Sequence, residues 1–160
     1  MRAITVQQPW AWAIIHGGKL VENRTRIGTW RPAIGSRIAI HAGQRVSDRG
    51  MADRRVAHAL RDAGHIHVEQ PIYSGSIGQI LAAPIHLGAV IGTVEVVNVH
   101  PDAGCCPPWG ESTYTEASGG RRIDIVHLVL EDPKPVAPIE CRGALGLWTL
   151  PADIAEALKP

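Results

Sequence analysis

The sequence predicts an α+β fold, a small β-barrel of five to six strands with helices packed on its outside. Three observations lead to this prediction. Short runs of alternating or β-branched apolar residues recur along the chain and are bounded by glycine and proline. Two other segments place their apolar residues at the period of a helix. The 160 residues show neither an internal repeat nor a domain boundary, so we expect one domain over residues 1–160.

The opening of the chain predicts a strand, a short helix and a second strand. Ala3 to Val6 forms the first strand, and Pro9 suits the first turn of a helix, where its missing N–H costs nothing. Gly17 and Gly18 supply the backbone freedom that commonly ends a helix. The second strand is expected from Leu20 to Thr25.

The rest of the chain predicts further short strands and two helices. Apolar residues spaced by three and four indicate the longer helix, with Ser47 suited to its N-cap and Gly64 to its end. In chain order we expect a strand at 27–30, a strand at 36–41, a helix at 48–63, an irregular loop at 65–86 with a helical turn near 77–82, a central strand at 88–99, a loop at 101–120, a strand at 123–131, a proline connector at 133–138, a strand at 144–150 and a closing helix after Pro151.

Charge is distributed unevenly along the chain. The formal net charge is only +1, which by itself gives no case for a nucleic-acid partner. Between Lys19 and Arg61, however, there are ten basic and three acidic residues, a local balance of +7, and the remainder carries −6. Such asymmetry predicts a basic face presented to an anionic partner such as nucleic acid. An arginine-rich helix that is merely solvated has the same composition, and both interpretations stay open.

Cysteine usage and the lack of targeting signals predict a cytoplasmic protein with reduced thiols. No run approaches the roughly 18 apolar residues of a membrane span. Cys105 and Cys106 with His100 superficially suggest zinc, but adjacent cysteines lack the usual C-x₂-C spacing and no second pair follows. We therefore expect no metal and no cofactor. The chain also lacks the P-loop, G-x-G-x-x-G and G-x-S-x-G motifs, so a serine or cysteine hydrolase is unsupported.

Charged residues crowd the second strand just after the glycine pair. Lys19, Glu22 and Arg24 lie within six residues, and the last two share one face of an extended strand. A lysine, a carboxylate and an arginine in one cleft can bind a phosphate, position a base edge or move a proton. The same spacing also fits a surface salt-bridge ladder, in which a mostly solvated Lys19 would contribute little to stability.

These residues carry a resemblance to a known family. The tripeptide Q-P-W at 8–10, followed by the pattern G-x-K-x-x-E-x-R at 17–24 with Gly18, Lys19, Glu22 and Arg24, is similar to the opening of ASCH domains. The segments 92–96 and 147–150 look like the central and closing strands of that family. The resemblance implies a PUA-like barrel in which the lysine, glutamate and arginine line a cleft.

Other residues near this cleft are candidates for recognising a base. Gln8 offers a donor and an acceptor, and Trp10 is expected in the cleft, whereas Trp12 lies about 200° away on the helix and should be core. Glu95 is expected to face solvent or to pair with a cation of the motif. The expected nucleic-acid-binding residues are Gln8, Trp10, Lys19, Glu22, Arg24, Trp30, His41 and Glu95.

Two functions fit these residues. The first is a module that binds RNA or single-stranded nucleic acid in a basic cleft around the motif, as the resemblance to ASCH and PUA domains implies. The second is an enzyme in the same cleft with Lys19 and Glu22 as catalytic residues, since the resemblance allows a ribonuclease or an amidohydrolase on a modified nucleoside. That amidohydrolase subgroup has threonine three residues after its lysine, and Glu22 departs from this pattern.

Overall fold

A six-stranded mixed sheet forms the centre of the fold in the computed structural model, which describes residues 1–64, 85–116 and 120–159. Its strands are β1 (Arg2–Gln8), β2 (Val21–Arg24), β3 (Ser36–Val46), β4 (Ala89–Pro101), β7 (Val126–Glu140) and β8 (Leu147–Thr149), hydrogen-bonded in the order β2-β7-β4-β3-β1-β8. Only the β1–β3 pair is parallel among these neighbours. A separate hairpin pairs β5 (Tyr114–Thr115) with β6 (Arg122–Ile123).

The sheet is bent rather than flat. The long strands β4 and β7 shift register three times along their pairing, and such irregularities bend a strand and increase its twist. The guanidinium of Arg24 on β2 donates to the backbone carbonyl of Thr5 on β1 at 2.8 Å. A strand at one end of the hydrogen-bonded order therefore lies beside a strand near its other end. The α+β class and the five to six strands predicted from the sequence are confirmed.

Helix α1 (Trp10–His16) packs against the inner face of the sheet. Its Ile14 and Ile15 join the main apolar cluster with residues of β1, β3, β4 and β7. Gly92 on β4 permits this close approach, because a Cβ there would lie 2.5 Å from Cδ1 of Ile15 and 2.8 Å from the carbonyl oxygen of Lys134. Because α1 packs closely against the sheet, it fixes the position of the charged segment that follows it.

The predicted helix over 48–63 is divided into two. Helix α2 (Asp48–Met51) begins at Ser47, whose hydroxyl accepts from the Gly50 N–H at 3.1 Å, as expected for an N-cap. Helix α3 (Arg54–Asp62) begins anew because the Asp53 carboxylate accepts from the Arg55 N–H at 2.8 Å and caps a second N-terminus. The closing helix α4 (Ala152–Ala157) starts after Pro151, as predicted.

One predicted strand and one predicted connector were wrong. Residues 27–30 form a 3-10 turn, Ile27–Thr29, followed by another at Arg31–Ala33, and the indole of Trp30 donates back to the Thr25 carbonyl at 2.8 Å. The proline connector at 133–138 is instead part of β7 and pairs with β4. Because β2 pairs with β7 only between residues 126 and 129, the later part of β7 has one free edge that tolerates prolines.

The predicted helical turn near 77–82 lies outside the described residues. No helix in the described ranges is long and apolar enough to cross a membrane.

Candidate functional site

The charged motif forms one ion-pair network. The Lys19 ammonium donates to Glu22 Oε2 at 2.7 Å and to the Val21 carbonyl at 2.5 Å. The other carboxylate oxygen of Glu22 lies 3.2 Å from Nε of Arg24, an ion pair that lacks good hydrogen-bond geometry. Gly18, with φ of +68°, turns the chain from α1 into this network. The three residues that the sequence placed together do therefore meet.

This network is buried, contrary to the expectation of a solvated lysine. The relative exposure of Lys19 is 3% and that of Glu22 is 7%. Burial acts to raise the pKa of Glu22, but the charges of Lys19 and Arg24 and the lysine hydrogen bond outweigh it and hold that pKa below its ordinary value. Glu22 is consequently ionised at neutral pH, and its charge is neutralised within the fold.

Two tryptophans pack against the network, and their rings are not open surfaces on which a base could stack. The Lys19 ammonium lies 5.8 Å from the Trp10 ring centroid, and the Arg24 guanidinium lies 5.2 Å from that of Trp30. Trp30 is only 6% exposed, so its ring is taken up by the core and by Arg24. Trp10 is half-buried and donates to the Ser47 hydroxyl at 3.2 Å, while Trp12 is core as predicted.

The predicted loop at 101–120, for which the sequence suggested no role, packs against the motif through Asn23 and Trp10. Trp109 packs edge-on against Trp10 at 6.5 Å between ring centroids, and its other side meets the Arg55 guanidinium at 4.8 Å. Asn23 of β2 holds the loop by donating to the Trp109 carbonyl at 2.8 Å and accepting from the Glu111 N–H at 3.0 Å. Sequence reasoning missed Trp109 and Asn23, since the contacts of Asn23 with the loop and of Trp10 with Trp109 join residues more than 80 positions apart.

Gln8 has a backbone role instead of a place in base recognition. It is fully buried; its side-chain oxygen accepts from the Trp12 N–H at 3.0 Å, and its amide donates to the His86 carbonyl at 2.8 Å. Because the amide is fully buried and hydrogen-bonds to backbone groups at both ends, Gln8 is not available to read a base edge in this arrangement.

Glu95 lies outside the network. Its carboxylate is half exposed and pairs with Arg37 of β3 at 3.0 Å, so neither Lys19 nor Arg24 is its cation. Register explains the difference: Arg37 and Glu95 are directly opposite each other in the β3–β4 pair.

His41 lies in a second cleft. This cleft, of about 650 Å³, is lined by residues of β1 and β3, by Gly88 just before β4 and by the segment 140–145. His41 is almost fully buried, and its Nε2 lies 3.0 Å from the Cys141 carbonyl, so that nitrogen donates. Its Nδ1 has no hydrogen-bond partner among the described residues, and the backbone of Gly143 crosses beside it. Trp148 links His41 to Thr5, with ring centroids 5.7 Å apart and an indole hydrogen bond of 3.2 Å to the threonine hydroxyl.

A basic groove of about 710 Å³ runs beside α3. Its lining includes Arg54, Arg55 and His58, with Asp62 as the acidic member and His16 at the end of α1. Arg54, His58 and Arg61 are all exposed, and their spacing of four and three residues places them on one face of α3. We refer to Arg54, His58 and Arg61 as the α3 stripe.

The cysteines are all free thiols. Burial raises the pKa of Cys106, to which its neighbour Cys105 adds, and burial likewise raises the pKa of Cys141. Residues able to hold a metal are nevertheless present: one ligand atom each from His100, Cys105, Cys106 and His127 lie within 4.8 Å of one another. The sequence expectation of no metal rested on spacing along the chain, and His127 was not considered.

Comparison with solved structures identifies the class of fold. The bent mixed sheet with α1 packed on its inner face is an α+β fold. In particular, the chain is similar to the crystal structure of ASCH from Zymomonas mobilis, at 18% sequence identity and a TM-score of 0.55 over 98% of this chain and 92% of that one. Structures of two mutant forms of that protein match at 18% identity with TM-scores of 0.54 and 0.53, covering 98% of this chain and 92% and 94% of theirs.

The chain therefore has the fold of an ASCH domain, as the opening motif suggested. No protein-family model and no curated protein matches it.

Proposed function

We propose that this chain binds RNA or single-stranded nucleic acid, contacting the phosphate backbone through the α3 stripe and its groove. One observation carries the proposal. The ten basic residues between Lys19 and Arg61 divide into two equal groups. Half have a carboxylate partner within 4.0 Å: Lys19, Arg24, Arg37, Arg49 and Arg55. The other half are exposed and have no ion pair with any described residue: Arg26, Arg31, Arg45, Arg54 and Arg61.

Unpaired exposed guanidiniums favour a polyanionic ligand. Each arginine that neutralises a phosphate releases a condensed counterion, and this release supplies most of the sequence-independent affinity for nucleic acid. Arg54 and Arg61 lie about two turns apart on α3, a separation of roughly 10 Å at 1.5 Å per residue. That distance is of the order spanned by two phosphates of an extended single strand. The alternative of a merely solvated helix predicts no ligand at this groove.

The motif contributes to this function through the fold. Lys19 and Glu22 neutralise each other in the interior. In our proposal their role is to hold α1 and β2 in position beside the groove. The alternative function, an enzyme with Glu22 as general base, gains no support from the depressed pKa of Glu22. A base works best with a pKa near the operating pH, and a strongly paired carboxylate is a weaker base.

Fluorescence anisotropy with a short labelled oligoribonucleotide at two salt concentrations tests the proposal. The wild-type chain should bind at low salt, with log K falling linearly against log salt. Arg54→Ala combined with Arg61→Ala should weaken binding about tenfold, or roughly 0.7 kcal/mol per lost contact. Removing two phosphate contacts should also make the salt slope shallower by about 1.4.

Arg122→Ala is the matched control, because Arg122 is an exposed arginine of the hairpin that pairs with Asp124 at 2.7 Å. It should leave affinity and slope unchanged. Absence of binding by the wild-type chain at low salt contradicts the proposal. Hydrolysis of the oligoribonucleotide or of an acetylated cytidine that Glu22→Gln abolishes without unfolding the chain would instead favour the enzyme.

A further inference from the structure

Four potential metal ligands meet where β4 and β7 enter the loop that packs against the motif. His100 of β4 and His127 of β7 are directly opposite each other in the antiparallel pair, and their rings lie 5.4 Å apart. Cys105 and Cys106 come from the loop between them. The sulfurs are 3.6 Å apart, and they lie 3.8 Å and 3.6 Å from Nε2 of His100.

Hydrogen bonds to the backbone fix which nitrogen of each ring is free to bind a metal. Nδ1 of His100 lies 2.7 Å from the Pro101 carbonyl, and Nε2 of His127 lies 2.9 Å from the Glu111 carbonyl. A carbonyl only accepts, so each of these nitrogens carries the proton, and the other nitrogen of each neutral ring has a lone pair. Metal-binding histidines almost always donate their second N–H in this way.

The ring nitrogen Nδ1 of His127, which makes no hydrogen bond to the backbone of the described residues, is an independent indication of a bound ligand. His127 is only 1% exposed, and its Nδ1 is buried without a hydrogen-bond partner among the described residues. A buried polar atom without a partner is uncommon and calls for a ligand, an ion or a water. On His100, the free nitrogen is the one that faces the two sulfurs.

The separations among His100 and the two sulfurs match three edges of a tetrahedral zinc site, and the ligand atom of His127 lies within 4.8 Å of each of them. Zinc–sulfur bonds of about 2.3 Å and zinc–nitrogen bonds of about 2.0–2.1 Å at tetrahedral angles give sulfur–sulfur edges of about 3.8 Å and sulfur–nitrogen edges of about 3.6 Å. The observed separations of 3.6, 3.6 and 3.8 Å lie within about 0.2 Å of these edges. Two thiolates and two imidazoles are also a donor set that selects zinc.

Close packing at Gly110 allows the loop to hold both sulfurs on one side. Its N–H donates to the Cys106 carbonyl at 2.6 Å. A Cβ at Gly110 would lie 2.7 Å from Cβ of Cys106 and 2.9 Å from Cε1 of His127, so a larger residue would push the cysteine away from the histidine. The loop backbone therefore holds the two adjacent sulfurs 3.6 Å apart without the C-x₂-C spacing.

We propose that His100, Cys105, Cys106 and His127 bind one Zn²⁺ ion in a closed structural site. The ion would join the end of β4, the start of β7 and the loop that carries Trp109. Binding releases the two thiol protons to solvent, and the negative charges of the two thiolates neutralise the double positive charge of the ion. Four protein ligands leave no open position, so the site is structural rather than catalytic.

Zinc content measured against protein concentration tests the site. Protein expressed with zinc in the medium and purified without chelator should carry about one zinc per chain. Cys105→Ser is the first variant because Cys105 is exposed and its loss threatens the fold least. In competition with a chromogenic chelator, Cys105→Ser should bind Zn²⁺ more than about 100-fold more weakly than the wild type does. This loss is larger than the roughly 10–100-fold loss of metal affinity caused by changing a residue that only hydrogen-bonds to a ligand. Cys141→Ser, which removes the third thiol, should bind like the wild type.

Two further measurements on the wild-type chain need no variant. Substitution with Co²⁺ should give the visible absorption of a tetrahedral ion together with thiolate charge-transfer bands. Chelation should speed hydrogen exchange at the amides of Gly110, Glu111 and Thr113 while leaving Val94 and Val96 in the middle of β4 unchanged.

Three results would overturn the proposal. One is a reduced wild-type chain that neither contains zinc nor binds it on titration. Another is zinc that stays bound at full stoichiometry in Cys105→Ser combined with Cys106→Ser. The last is a freshly purified chain whose mass is two hydrogens short and recovers on reduction, which would assign the adjacent cysteines to a disulfide.

Discussion

The buried motif network and the α3 stripe hold the same kinds of cation and use them differently. Lys19 is 3% exposed and donates to Glu22, whereas Arg54 and Arg61 are exposed and have no carboxylate partner among the described residues. A buried charge must be paired, so its field is cancelled inside the fold. An exposed unpaired charge remains available to a ligand. The position of a cation in the structure, more than its place in a motif, determines whether it stabilises the fold or binds a partner.

The largest expected effect is on stability, from Lys19→Ala. Removing one partner of a buried ion pair leaves the other charge buried without that partner. We expect the free energy of unfolding to fall by about 3 kcal/mol, with Arg24 compensating part of the uncancelled charge of Glu22. Urea unfolding measures the change. Lys134→Ala, at a lysine whose side chain is 62% exposed beside Asp132, is the control and should change stability by less than about 0.5 kcal/mol. An equally small effect at Lys19 would contradict the buried network.

A smaller loss, of about 2 kcal/mol at neutral pH, is expected from Glu22→Gln, since the amide keeps the shape but leaves two cations without an anion. The folded-state pKa of Glu22 lies below its unfolded value of about 4.3, so its contribution is complete above that value and is lost as pH falls through the folded pKa. The difference between wild type and variant should therefore shrink below about pH 4.

Unfolding curves at neutral pH and at several acidic values measure this difference. Glu95→Gln is the control at a half-exposed carboxylate paired with Arg37, and should cost less than about 0.5 kcal/mol. A difference between wild type and Glu22→Gln that stays constant with pH would mean that Glu22 is not held ionised by the network.

The smallest effect is expected from Arg54→Lys combined with Arg61→Lys. If the stripe meets phosphates as point charges, lysine should serve almost as well, and affinity for the oligoribonucleotide should change by less than about threefold. Stability should change by less than about 0.5 kcal/mol, because both side chains are exposed. Anisotropy measures the affinity. A loss as large as that of the alanine pair would show that the stripe uses the planar, bidentate geometry of arginine.

Local sequence signals were reliable where local forces decide the structure. The strand, helix and strand of the opening formed as predicted, and so did the Ser47 cap and the helix after Pro151. Failures came where a distant partner competes with local preference. The prolines at 133–138 suggest a connector, yet pairing with β4 draws them into β7. The division of the helix over 48–63 has a local cause instead, because Asp53 caps a second N-terminus through the Arg55 N–H two residues later.

The candidate site shows the same division. The sequence by itself determined that Lys19, Glu22 and Arg24 meet, because they lie within six residues of one another around a glycine turn. Only the tertiary structure decided that Lys19 and Glu22 are buried, because the fold places Trp10 beside the lysine and packs Trp109, from a loop far along the chain, against Trp10.

The same holds for His127. The register between β4 and β7 places it opposite His100 and beside the cysteines, and no spacing along the chain predicts this position. The sequence shows directly which residues are neighbours along the chain, whereas burial and cross-strand contact arise only when the whole sheet has formed.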